Sequence, residues 1–182
     1  MGVSIEALDV EAFDAALPAL AEVLQACVAG GASVNFVCPF SLEEARAFFL
    51  DKVRPAVVAG HRVVLAAWVD GEIVGTVQLA CDTPPNQPHR ADVTKLLVHP
   101  KARRRGIGRH LMEALHEAAR ARGRSLLTLD TLVGDAAEPL YVSVGYRRVG
   151  PIPGYSLAPD GSGRLDATMI MYCPLGERVP LE

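Results

Sequence analysis

The sequence has no C-x-x-C pair and no Cys/His spacing of the kind that holds zinc. Its four cysteines, Cys27, Cys38, Cys81 and Cys173, are widely scattered, so no metal site is expected. They read as reduced thiols of a cytosolic protein. No apolar run reaches the length of a membrane span. Glu6, Asp9, Glu11 and Asp14 near the start argue against a signal peptide. The expected location is therefore cytoplasmic, without a membrane partner. Internal repeats and low-complexity tracts are also missing. Net charge is only −3, which predicts no general affinity for nucleic acid. Two phosphate signatures are absent as well. Gly-Lys-Ser/Thr occurs nowhere, and G-x-G-x-x-G fails because Leu111 stands where its third glycine would be.

What is present is enough apolar material for a substantial core, half of 182 residues. That length is most economically one domain, 1–182. Val3 to Leu8 reads as a short strand. Asp9 is a fair N-cap for a helix to about Ala29, with Pro18 inside it as a kink or a break. Gly30-Gly31 ends it. The segment 30–40, GGASVNFVCPF, is a loop, either a plain connector or one wall of a pocket. Ser41 and Glu44 form a capping box, opening a second helix that Pro55 bends or divides before Gly60. Two apolar runs, His61 to Val69 and Glu72 to Ala80, flank Asp70-Gly71, a two-residue hairpin turn. Arg90 to Val98 is a strand, followed by a helix carrying Leu111, Met112, Leu115 and Ala119 on one face. Gly123 is its αL cap. SLLTLDT returns as a strand. Asp135 is the expected cap of a short helix to Val144. Tyr146 to Val149 and Ala167 to Cys173 are strands, with 150–165 between them as loop. Helices alternate with strands only in the middle, which implies a mixed sheet.

The local anomaly is Arg103-Arg104-Arg105-Gly106-Ile107-Gly108 at a helix start. Cations are disfavoured there, each by roughly 0.3–1 kcal/mol. Two glycines let the backbone approach a ligand and leave N–H groups uncovered. Basic side chains with free N–H groups make an anion site, and phosphate is its usual occupant.

The spacing R-x-x-G-x-G, carried by Arg103, Gly106 and Gly108 and preceded by V-H-P, resembles the pyrophosphate loop of the GNAT N-acetyltransferases. The resemblance runs from about Ile5 to Tyr172 and includes Ala137-x-x-Leu140-Tyr141 with Gly145-Tyr146. GGASVNF, Leu129–Thr131 and VGPIPGY are similar to the tabtoxin-resistance branch, whose enzymes acetylate the amine of a small β-lactam antimetabolite. The resemblance implies an α/β (α+β) fold with a mixed, mostly antiparallel sheet and helices on both faces. It implies a V-shaped splay between the fourth and fifth strands, Arg90–Val98 and Ser125–Thr131. Acetyl-CoA would be the cosubstrate, without a metal. Its pantetheine arm would bond the backbone at Leu96, Leu97 and Val98, and its pyrophosphate the N–H groups from Arg104 to Arg109, within a site that spans Arg103, Arg104, Arg105, Gly106, Ile107, Gly108 and Arg109. One departure is Gly134, where many members of the family carry an asparagine that contacts that arm.

Acetyl transfer to an amine needs a deprotonated amine, a donor to the thioester oxygen and a proton for the leaving thiolate. Tyr141 matches the family's acid position, and a phenol stays protonated at neutral pH; packing is its alternative role. Asp130 is the expected base, or else it positions the amine while water takes the proton. Asp92 is the reserve. Ser33, Asn35, Asp92 and Tyr155 are the expected acceptor contacts. The implied partner is a small-molecule primary amine, with an amino-acid-like or β-lactam acceptor as the narrower expectation and a homodimer as the family's frequent assembly. Peptide or protein amines and a non-catalytic acyl-CoA-binding regulator are the rival readings.

Overall fold

The computed structural model describes residues 2–176. The ends of the expected domain, residue 1 and residues 177–182, lie outside the described residues. The elements are β1 (Val3–Leu8), α1 (Val10–Ala29), α2 (Leu42–Phe48), α3 (Arg54–Val58), β2 (Arg62–Val69), β3 (Glu72–Ala80), β4 (Arg90–Val98), α4 (Ile107–Ala121), β5 (Leu126–Leu132), α5 (Ala137–Ser143), β6 (Arg147–Leu157) and β7 (Leu165–Pro174). The seven strands form one sheet in the order β1-β2-β3-β4-β5-β7-β6. Every pairing is antiparallel except β4 with β5. The expected mixed, mostly antiparallel fold is present.

Two apolar layers cover the two faces. On one, α1 packs with Phe49 and Val53 against Val64, Ala66 and Leu97. On the other, Ile107, Leu111, Met112 and Leu115 of α4 meet Val77, Leu79, Leu127 and Met171. By length and composition α1 could cross a membrane, contrary to the expectation that no run is long enough. In the fold nine of its side chains, from Phe13 to Val28, are buried. The apolar content of α1 thus matches its place in the core. Pro18 does not divide it.

Local chemistry accounts for most boundaries. Asp9 accepts from the Ala12 N–H at 2.8 Å. Ser41 and Glu44 form the reciprocal box, with 3.1 and 2.7 Å bonds. The second helical stretch is interrupted by a π turn at Phe49–Val53, directly before α3 and Pro55. Pro55 has no N–H for the regular ladder, so the wider turn falls there. Asp70 and Gly71 have φ of 51° and 83°, as a type I′ hairpin turn requires.

Two expectations are corrected. Asp135 does not cap α5 through its side chain; among the described residues its carboxylate takes the adjacent Ala136 N–H, and α5 starts without a side-chain cap. The segment 150–165 is not all loop, because β6 extends to Leu157. Its register slips between Arg148 and Gly150 and again between Ile152 and Ser156. As the outermost strand, β6 tolerates Pro151 and Pro153, whose missing donors cost no ladder bond on a free edge.

Candidate active site

Strands β4 and β5 pair only at Arg90–Leu126, Ala91–Leu127 and Asp92–Thr128. Beyond that point β5 stays with β7, while Val93–Val98 stays with β3. The sheet therefore opens as a V between the fourth and fifth strands. A polar cluster pins its closed end: Arg90 donates to Asp92 and, at 2.8 Å, to Thr128 Oγ1, and the Thr128 hydroxyl donates to Asp92. A cavity of about 640 Å³ fills the opening. Between Leu97 and Thr94 the pairing with β3 carries a bulge, and Lys95 has a φ of 53°. Such a bulge bends the strand and re-aims a side chain.

The loop after β4 rims this cavity. Arg104 and Gly106 are left-handed, with φ of 64° and 76°. Gly106 caps α4 without any side-chain oxygen. Among the described residues the N–H groups of Arg104, Gly106, Ile107 and Gly108 have no backbone acceptor. Orphan donors at a helix start are what an anionic diphosphate satisfies. The residues present therefore fit a pyrophosphate. The Arg109 N–H is not among these donors, since it bonds Gly106 O at 3.0 Å, and its guanidinium reaches Ser143 Oγ at 3.0 Å. Arg103 turns back to the strand, where its Nε and the Cys27 thiol both donate to Val98 O, at 3.3 and 3.4 Å. Burial pushes the Cys27 thiol up, against the nearby Arg103 charge.

Tyr141 and Asp130 line the same cavity. Tyr141 is 7% exposed and packs on Tyr146, which stacks in turn on His116. Burial pushes the Tyr141 phenol above its ordinary range, and the charges of Asp135 and Asp130 push the same way. The phenol is therefore held in its protonated form at neutral pH. Asp130 is exposed, and one carboxylate oxygen accepts from Thr168 Oγ1 at 3.3 Å. Lys95 reaches the cavity from β4. Its Nζ lies 5.5 Å from the ring centroids of both Phe36 and Phe48. Burial lowers its pKa to about 8, with Asp130 opposing that shift and Arg62 adding to it.

Of the expected residues, Leu96, Leu97, Val98, Arg103, Arg104, Gly106, Ile107, Gly108 and Arg109 line the cavity, as do Ser33 and Asn35. The 30–40 loop is thus a wall of the pocket. Its position is held by the Cys38 N–H on Pro159 O at 2.8 Å. Arg105, Asp92 and Tyr155 do not line the cavity. Asp92 is engaged at the closed end of the V, and Tyr155, 51% exposed, lies on β6. Gly134 has a φ of 78° and donates to the Glu138 carboxylate at 3.0 Å. Glycine tolerates that conformation. Lys95 was missed by sequence reasoning. The signal available was a cation inside an otherwise apolar half-strand, Thr94-Lys95-Leu96-Leu97-Val98.

Residues 60–148 match the acetyltransferase (GNAT) domain model. Among curated sequences, an uncharacterized N-acetyltransferase of Azospirillum brasilense, encoded in the hisH-hisA intergenic region, is 30% identical over 122 residues, covering 66% of this chain and 70% of that protein. The chain belongs to the GNAT acetyltransferase family. A second relative, the IAA acetyltransferase of the same organism, is 36% identical over 96 residues. That match covers 52% of this chain and 61% of the relative's length. The GNAT superfamily phosphinothricin acetyltransferase of Sinorhizobium meliloti, solved with acetyl-CoA, superposes with a TM-score of 0.77 at 19% identity. The superposition covers 97% of this chain and 90% of that one, so the GNAT fold extends well beyond the matched 60–148 segment.

Proposed function

We propose that this single GNAT domain transfers the acetyl group of acetyl-CoA directly to a primary amine of a small molecule. One observation carries the reading: the parted strands, the uncovered N–H groups of the Arg104–Gly108 loop, Tyr141 and Asp130 all converge on one cavity. In this reading Arg104, Gly106, Ile107 and Gly108 hold the diphosphate, and the Val93–Val98 edge holds the pantetheine arm. The amine nitrogen attacks the thioester carbonyl, a C–N bond forms and the C–S bond breaks. The thiolate takes the Tyr141 proton, and the amine proton leaves through water beside Asp130. Asp130 holds the amine in place, and water carries its proton away. The narrower expectation, an amino-acid-like or β-lactam amine, draws support from Ser33 and Asn35 in the pocket wall. A cytoplasmic site of action belongs to the same reading and draws on the four unpaired thiols.

Thiol release from acetyl-CoA, measured against small amines, amino-acid-like β-lactams and short peptides, tests it. Release with a small amine is the expected result. Release with peptides alone overturns the small-molecule reading. Silence across the panel with acetyl-CoA bound favours a non-catalytic acyl-CoA sensor, and absence of binding overturns the loop assignment.

A further inference from the structure

Lys95 combines two unfavourable features at one position. Its backbone is left-handed, at φ 53°, a conformation that a long side chain rarely adopts. Its ammonium is set against protein, over the faces of Phe36 and Phe48, at the wall of the cavity. Those rings attract the cation electrostatically, but they accept no strong hydrogen bond. An ammonium has three N–H donors. Among the described residues the Lys95 ammonium has no hydrogen-bond acceptor. Strained, partly desolvated groups of this kind are found where a ligand completes them.

The charges around it narrow the ligand. Asp130 on β5 is the opposing charge across the V, and Arg62 on β2 is a like charge. Asp130 gives one oxygen to Thr168 and keeps the other. The pocket thus presents a carboxylate and an ammonium from its two parted strands, each with unused hydrogen-bonding capacity. A ligand that satisfies both carries a cation and an anion on one small skeleton.

We propose that Lys95 determines acceptor specificity by binding a carboxylate of the acceptor, while Asp130 holds its amine. The acceptor class is then an amino acid or an amino-acid-like zwitterion. This rests on the acetyl-transfer reading above. The bulge at Thr94–Lys95–Leu96 is the device that delivers the lysine, since a regular strand would direct it differently. Lys95 does not enter the bond-making step.

The test uses the full chain and amines presented in two forms, with the free carboxylate and as the corresponding primary amide. Wild type is expected to favour the carboxylate form in kcat/KM by about 10- to 100-fold. Lys95→Met is expected to abolish that preference by raising KM for the carboxylate form to that of the amide. Lys95→Arg is expected to restore part of it. Equal turnover of both forms by wild type, or a preference that survives in Lys95→Met, overturns the proposal while acetyl transfer stands. Thiol release with neither form, with acetyl-CoA bound, also overturns it. A wild type that binds no acetyl-CoA removes the underlying reading and this one together. Unchanged acetyl-CoA affinity in Lys95→Met excludes misfolding as the cause of a lost preference.

Discussion

A Cβ placed on Gly108 would lie 2.9 Å from Cδ2 of Leu140. This close approach joins the start of α4, whose N–H groups face the cavity, to α5, which carries Tyr141. The Arg109–Ser143 bond ties the same two helices a turn further on. The start of α4 and the helix carrying Tyr141 are therefore held together by these two contacts, and an added methyl group should disturb both.

Gly108→Ala is expected to lower stability by about 1 kcal/mol, in the range of overpacking, and to reduce kcat by displacing Tyr141. Leu140→Ala in the same chain should recover part of the loss, since it vacates the colliding methyl. A double-mutant cycle in thermal unfolding and turnover checks this. Strictly additive effects would mean that the two residues do not meet.

Arg104→Ala combined with Gly106→Ala should weaken acetyl-CoA binding about tenfold or more. The first change removes a cation from the phosphate rim. The second places a side chain at φ 76°, a region that favours glycine. Calorimetry with acetyl-CoA reads the result. An unchanged affinity would sink the diphosphate assignment.

Tyr141→Phe keeps the ring packed on Tyr146 and removes only the hydroxyl that would donate the proton. Turnover should fall by about 100-fold, the lower end for a positioned acid, with little change in acetyl-CoA affinity. Equal losses in both would assign Tyr141 to packing.

The Lys95 charge makes two opposite demands on pH. Its pKa is about 8 in the fold and about 10.4 in an unfolded chain. The folded state therefore binds fewer protons in that interval, and this residue's contribution to stability rises from pH 8 to 10.4. Its usefulness moves the other way, because the neutral amine holds a carboxylate poorly. Wild-type KM for a carboxylate-bearing amine should climb above pH 8, while Lys95→Met should lack that limb. The neighbouring charges, Asp130 and Arg62, are retained in both proteins.

Glu138 accepts from Arg148 Nε at 2.5 Å and from the Gly134 N–H at 3.0 Å. The Arg148 bond, then the Gly134 bond, holds its carboxyl below the usual 4.5. The stability it contributes is present above pH 4.5 and is lost as pH falls through its lower folded value. Acid unfolding followed by circular dichroism should be less steep in Arg148→Met. An unaltered acid limb would show that the pair contributes nothing measurable.

Much of this molecule was legible in the chain because the determinants are near neighbours. Ser41 and Glu44 cap a helix three residues apart. Asp70-Gly71 turns a hairpin by its own φ preferences. Arg103 to Gly108 marks a loop whose charge and backbone freedom conflict with an ordinary helix start. Each depends on residues within one or two turns of each other, where propensity and pattern act directly. The family resemblance placed Tyr141 and Asp130 as well, and both reach the cavity.

Only the tertiary structure decided the rest. Asp92 looked like a pocket carboxylate, but the pairing of β4 with β5 continues far enough to lock it onto Arg90 and Thr128. Residues 150–157 carry loop composition, yet they form a strand because β7 offers an open edge that tolerates their prolines. Lys95 is an ordinary surface residue by composition, and a bulge in the register with β3 puts it in the pocket opposite Asp130. Register, edge position and the point where two strands part depend on contacts between distant segments. No short stretch of sequence encodes them, and here they determine which charges the acceptor meets.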